Sequence, residues 1–138
     1  MIGRWERIAP KLVRWGPVAA YVLLIFGVSS MSSPPAVAVA PNLDKVAHLA
    51  EYGVLGLMLG WALGLPRTGG RPWGVFFLAV AVGAAIGLSD ELYQGTVPGR
   101  ESSYLDLLAD IVGLTAALAA LLWWGKRRGG AGLSHKLL

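Results

Sequence analysis

Four apolar runs, separated by short polar connections, organise the chain: about Leu12 to Met31, Val46 to Leu65, Trp73 to Leu92 and Leu105 to Trp124. Each supplies the roughly 20 residues that a helix rising about 1.5 Å per residue needs to cross a hydrocarbon core about 30 Å thick. The two-residue alternation of a transmembrane barrel is absent, so the spans are predicted to be helices, which satisfy their own backbone groups in lipid. Little sequence remains outside them. The pattern predicts an all-α membrane protein, a four-transmembrane-helix bundle forming a single domain over 1–138, with a basic start over 1–14 and a basic tail over 125–138.

Within the runs, small residues recur at helical spacing, where positions four apart share a ridge. Gly56, Gly60 and Gly64 form overlapping G-x-x-x-G pairs in the second span; Ala79, Gly83 and Gly87 mark the third, and Ala109, Gly113 and Ala117 the fourth. Such stripes let membrane helices approach closely. Each stripe continues into, or borders, polar residues. The second reads Asp44, His48, Tyr52 ahead of Gly56; the third runs on to Glu91; Asp106 and Asp110 flank the fourth.

Composition agrees with lipid as the solvent: 138 residues with 55% hydrophobic, 14% charged and a mean hydropathy of +0.58 cannot make an ordinary soluble surface. The net charge of +4 and pI near 9.8 are sorted by connection rather than spread. Arg4, Arg7, Lys11 and Arg14 precede the first span, Arg67 and Arg71 lie between the second and third, and Lys126, Arg127, Arg128 and Lys136 follow the fourth. The other two connections hold Lys45 and Arg100. By the positive-inside rule both termini and the middle connection are expected in the cytoplasm, with 32–44 and 93–104 outside. The basic excess is then an orientation signal, and nucleic acid is not an expected partner. Trp5, Trp15, Trp73, Trp123 and Trp124 lie near span ends, as an aromatic belt requires. The absence of cysteine excludes disulfides, thiol catalysis and Cys-based metal sites.

The basic start, the run "VAAYVLLIFGVSS" and the following "PPAVAVAP" also fit a secretory signal with an A-x-A cleavage site. The length of the apolar stretch from Trp15 to Met31 favours a retained first span.

Seven of the eight acids, all but Glu6, fall at the expected outer ends of spans two to four. Ionisable groups within a span cost about 2.5 to 3.5 kcal/mol on insertion scales, so they should turn toward one another or toward water. Plain structural roles account for some of them. Ser103 and Asp106 fit an S-x-x-D capping box, and Asp44 fits a cap of the second span. Pro98 and Gly99 fit a turn between antiparallel helices. Asp110, a turn deeper, needs a partner such as Arg100 or Lys45. His48, with Asp44 one turn away to fix its tautomer, is a candidate for proton transfer. His135 is expected to be solvated.

Together "DKVAHLAEYGVLGLMLG" and "SDELYQGTVPGRESSYLDLLADIVG" resemble the VanZ-like family of small bacterial membrane proteins over about residues 41 to 117. That family's pattern is D-K-x-x-H-x-x-x-Y, D-E-x-x-Q, an arginine before S/T-x-x-D, and an Asn or Asp ahead of Gly. Its positions here are Asp44, Lys45, His48, Tyr52, Asp90, Glu91, Gln94, Arg100, Ser103, Asp106 and Gly113. Asp110 stands where many members carry Asn. The resemblance implies a multi-pass protein of the bacterial plasma membrane with a role toward teicoplanin-type glycopeptide antibiotics or other envelope molecules.

Two classes of function remain open. In an enzyme, Asp44 and His48 would form an acid-base pair, and Asp90, Glu91, Asp106 and Asp110 would hold a hard divalent cation through oxygen ligands or share the acid-base work. Lys45, Tyr52, Gln94, Arg100, Ser103 and Asp110 would bind a lipid-linked or cell-envelope substrate. A three-histidine zinc site is impossible with His48 alone, Ser89, Ser102 and Ser103 are available nucleophiles, and no spacing signals haem, flavin or nucleotide. In a structural or binding protein, the same residues form a salt-bridge and cap network. Seven acids against Lys45, Arg100 and His48 leave an acidic surplus, which argues for a cation or protonated carboxylates. Transport is disfavoured, because no ionisable stepping stones continue across the other half of the spans.

Overall fold

The computed structural model describes residues 2–32, 43–65 and 72–134, with side chains over 12–32, 43–65 and 72–127. Over these residues the protein is all helical: α1 (Ile2–Ser29), α2 (Leu43–Ala62), α3 (Pro72–Gln94) and α4 (Tyr104–Ser134). The candidate cleavage segment "PPAVAVAP", Arg67, Arg71, His135 and Lys136 lie outside the described residues, as do the side chains of Arg4, Trp5, Arg7, Lys11 and Arg128.

Among the described residues, three helices are long and apolar enough to cross a membrane, over Leu12–Ser29, Pro72–Gln94 and Tyr104–Arg127. α2 is not among them, because Asp44, Lys45, His48 and Glu51 interrupt its apolar run. Leu12, Leu23, Phe77, Leu92 and Leu105 each leave 60% or more of their surface exposed, so the outward faces are hydrocarbon. Such surface has no place in water and suits lipid. This is a membrane-type protein.

Each helix turns a 3.6-period stripe inward. On α1 it is Val18, Val22, Ile25 and Ser29; on α2, His48, Tyr52, Leu55 and Leu59; on α3, Phe76, Ala79, Gly83, Gly87 and Glu91; on α4, Asp106, Asp110, Leu114 and Leu118. The closest approach is between α2 and α4, and glycine makes it. A Cβ on Gly113 would collide with the backbone carbonyl of Leu49, and one on Gly56 would lie 2.7 Å from the Leu114 carbonyl. Small-residue stripes thus do the work expected of them. Gly64 differs: a Cβ there would meet nothing within 4 Å, and its φ of 77° makes it the left-handed residue that ends α2. It caps the helix and takes no part in the seam expected of it.

The two ends of the bundle differ in chemistry. At one end Lys126 lies over the Trp73 ring at 5.4 Å and Arg127 over Trp123 at 3.8 Å, the basic and aromatic pairing of a membrane interface. At the other, the start of α2, the end of α3 and the start of α4 meet.

Candidate functional site

The connection from α3 to α4 is short and tightly turned, which puts their polar ends side by side. Arg100 N–H donates to the Val97 carbonyl at 3.1 Å, with Pro98 and Gly99 between them and Gly99 at φ 82°. This is the expected turn, and its third residue needs glycine. Helix α4 then begins at Tyr104. The Ser103 hydroxyl oxygen accepts the Asp106 N–H at 3.3 Å, an N-cap.

The other half of the expected capping box comes from elsewhere. The Ser103 N–H donates not to Asp106 but to Glu91 Oε2 of α3, at 2.8 Å. Asp106 is thereby free to meet Lys45, whose Nζ lies 3.0 Å from Asp106 Oδ1 and 2.9 Å from Asp44 Oδ2. Asp44 precedes the apolar part of α2, and its hydrogen bond from Lys45 holds its carboxyl below the usual carboxylate range.

This arrangement corrects two pairings expected from spacing. His48 is held by Asp110, at 2.9 Å between Nδ1 and Oδ1, and not by Asp44. Asp110 in turn takes neither Arg100 nor Lys45. The cause is the α2–α4 seam: with Gly113 against Leu49, the turn of α4 that carries Asp110 lies against the turn of α2 that carries His48, while Lys45 is occupied by its neighbour Asp44 and by Asp106. Glu91 completes the group, its Oε1 3.9 Å from His48 Nδ1.

A second set of contacts runs along α3. Arg100 Nη2 donates to Gln94 Oε1 at 2.6 Å, and Gln94 Nε2 donates to Asp90 Oδ2 at 2.9 Å and to Ser29 Oγ at 3.2 Å. Gln94 thus relays Arg100 to Asp90 and ties α1 to the site. Ser29 has no counterpart among the residues expected from sequence, yet it lies one helical step beyond Ile25 on the inner stripe of α1, a spacing that marks it. Ser30 to Tyr93 and Tyr21 to the Glu51 carbonyl add two more α1 contacts.

All eleven expected site residues therefore lie at one end of the bundle. Asp90 and Asp110 are 1% exposed, Glu91 4% and His48 9%, and Tyr52 is fully buried. Asp44, Lys45, Arg100 and Ser103 are only partly covered and form a rim. Glu101, Ser89 and Ser102 are exposed and stand apart. Four buried oxygens have no hydrogen-bond partner among the described residues: Tyr52 OH, Asp90 Oδ1, Glu91 Oε1 and Asp110 Oδ2. Gly87 makes the space for them, since a Cβ there would lie 3.2 Å from both Asp110 Oδ2 and the Tyr52 ring. His48, Glu91 and Asp110 each offer an atom within 4.8 Å of the others, a spread that suits a metal ion.

The VanZ/LLP1 family model matches residues 7–125. The chain belongs to that family. The match reaches well ahead of the motif-bearing segment and takes in most of α1, the helix that supplies Ser29. No curated protein and no solved structure matches.

Proposed function

We propose that this VanZ/LLP1 protein crosses the plasma membrane four times, α2 included, with both termini in the cytoplasm, and that its polar end faces outward and acts on an anionic, lipid-linked envelope molecule. The sorting of basic residues supports the orientation, and the Lys126 and Arg127 contacts with Trp73 and Trp123 at the opposite end agree with it. α2 is polar for a span, but Lys45 meets Asp106 and His48 meets Asp110 of α4 rather than lipid, which lowers their cost.

The observation that carries the functional reading is the division between rim and interior. Lys45 and Arg100 lie partly exposed at the rim; Arg100 has given one of its five donors to Gln94 and keeps others for a phosphate or carboxylate. Beneath them His48, fixed by Asp110 and faced by Glu91, forms a pole able to move a proton. A headgroup held by the rim would place its reacting atoms over that pole while its lipid tail stayed in the bilayer.

A scaffold reading has its own support, because Glu91 caps α4 and Gln94 joins α1 to α3. The test compares cells carrying His48→Ala or Asp110→Asn with wild type, in glycopeptide susceptibility and in untargeted profiles of envelope lipids and cell-wall precursors. Lost activity at normal protein level supports the site; wild-type activity in both variants eliminates it.

A further inference from the structure

Buried carboxylates are stable only when paired, protonated or bound to a cation. In the innermost group Glu91 and Asp110 bring two negative charges around one imidazole, and no other cation reaches them among the described residues. Lys45 bonds Asp44 and Asp106, and Arg100 bonds Gln94. Each carboxylate has one oxygen held in place, Glu91 Oε2 by the Ser103 N–H and Asp110 Oδ1 by His48 Nδ1. The second oxygen of each is buried and without a partner. Leaving such an oxygen unmet is unfavourable in a folded protein, and here two occur on the carboxylates that flank His48.

From these contacts we infer that His48, Glu91 and Asp110 form a divalent-cation site, supplying one imidazole nitrogen and two carboxylate oxygens. The charges balance, because two carboxylates and a neutral imidazole neutralise one divalent ion. The distances fit as well. Ligand atoms about 2.1 Å from one ion lie roughly 3 to 4 Å apart; His48 Nδ1 is 2.9 Å from Asp110 Oδ1 and 3.9 Å from Glu91 Oε1, and a bound ion would replace the Nδ1–Oδ1 hydrogen bond as the link between those two groups. The hydrogen bond from Ser103 orients Glu91 from behind, as outer contacts do for metal-binding carboxylates. Three protein ligands leave coordination positions open to water or to an anionic substrate.

Donor chemistry narrows the ion. Imidazole suits zinc, iron and copper, and carboxylates and water suit magnesium, calcium and manganese, so one nitrogen with two carboxylate oxygens admits zinc, iron or manganese, of which manganese is the ion whose imidazole contact magnetic resonance can read. The site deepens the proposed function by putting a Lewis acid in its reactive pole, and rests on that reading only for its role. Its existence is read by binding. Intact cation binding with an unchanged envelope would retire the function and keep the site, and the reverse result would do the opposite.

The test uses full-length protein in detergent, stripped with chelator and titrated with MnCl2. One equivalent per chain is expected, and the bound ion should show nitrogen hyperfine coupling from a single imidazole in pulsed electron paramagnetic resonance. Glu91→Gln and Asp110→Asn, which keep side-chain volume, should each weaken binding by tenfold or more. Glu101→Gln, at an exposed acid, and His135→Ala should leave it unchanged. Absence of saturable binding to wild-type protein, absence of the nitrogen coupling, or undiminished binding in Glu91→Gln and Asp110→Asn overturns the inference.

Discussion

The two halves of this helix bundle solve the same packing problem in different ways. In one half, Leu55 and Leu59 of α2, Ala79 of α3 and Leu114 and Leu118 of α4 are completely buried, and Gly56 brings α2 against the Leu114 backbone of α4. In the other half the same inward stripes carry His48, Tyr52, Asp90, Glu91 and Asp110, equally buried but with four oxygens unmatched. Dispersion and close approach hold the first half together. The second half spends part of that stability on polar groups that packing does not need. The contrast is what supports reading the first as scaffold and the second as the proposed site.

The sharpest break falls on the α2–α4 seam where the two halves join, at the Gly113–Leu49 contact next to His48 and Asp110. Gly113→Ala places a methyl group against the Leu49 carbonyl, where only backbone can yield, so α2 and α4 must separate. A loss on the order of 3 kcal/mol is expected, read as a lowered unfolding midpoint in detergent. Gly27→Ala is the control: nothing lies within 4 Å of a Cβ there, and the midpoint should hold. Equal effects of the two changes would remove the seam from the account.

A middle-sized effect separates cap from site. Ser103→Ala loses the hydroxyl that accepts the Asp106 N–H but keeps the backbone N–H that Glu91 accepts, so it should cost about 0.5 to 2 kcal/mol. Activity should survive. A loss of activity at unchanged stability would move Ser103 from cap to substrate contact.

The smallest effect is at the rim. Asp44 is lowered by its bond from Lys45, so its contribution to stability is fully present above the ordinary carboxylate range, about pH 4, and fades as pH falls through its lower folded value. With 43% of its side chain exposed, the change is slight. Between pH 5 and 3 the unfolding midpoint should fall slightly less for Asp44→Asn than for wild type. An identical fall would mean that the Asp44–Lys45 pair contributes nothing.

Much of this contrast is legible in the sequence, because both halves obey helical periodicity. The four apolar runs become four helices, the turn at Pro98 and Gly99 forms, and the polar positions gather at one end. Partner choice is less legible. Asp44 and His48 share a ridge, but whether His48 meets Asp44 or Asp110 depends on how far Gly113 lets α4 approach Leu49, a distance between helices that no spacing along one helix encodes. The same holds for Glu91, which spacing makes an acid on a packing face and tertiary contact makes the second cap of α4. Gly64 fits the glycine repeat but sits where α2 ends, so backbone conformation rather than packing decides its role. Ser29 follows the α1 stripe, but in sequence a single serine after an apolar run reads as a helix end.

The most direct test of the distinction is the unfolding midpoint of Asp110→Asn, measured in detergent with chelator present. The exchange keeps the volume and a hydrogen bond to His48 while removing a buried charge. If Asp110 belongs to a site, the midpoint should stay at or above the wild-type value, because the charge is kept at a cost to stability. A midpoint lowered as far as that of Gly113→Ala would make Asp110 part of the scaffold and contradict the account.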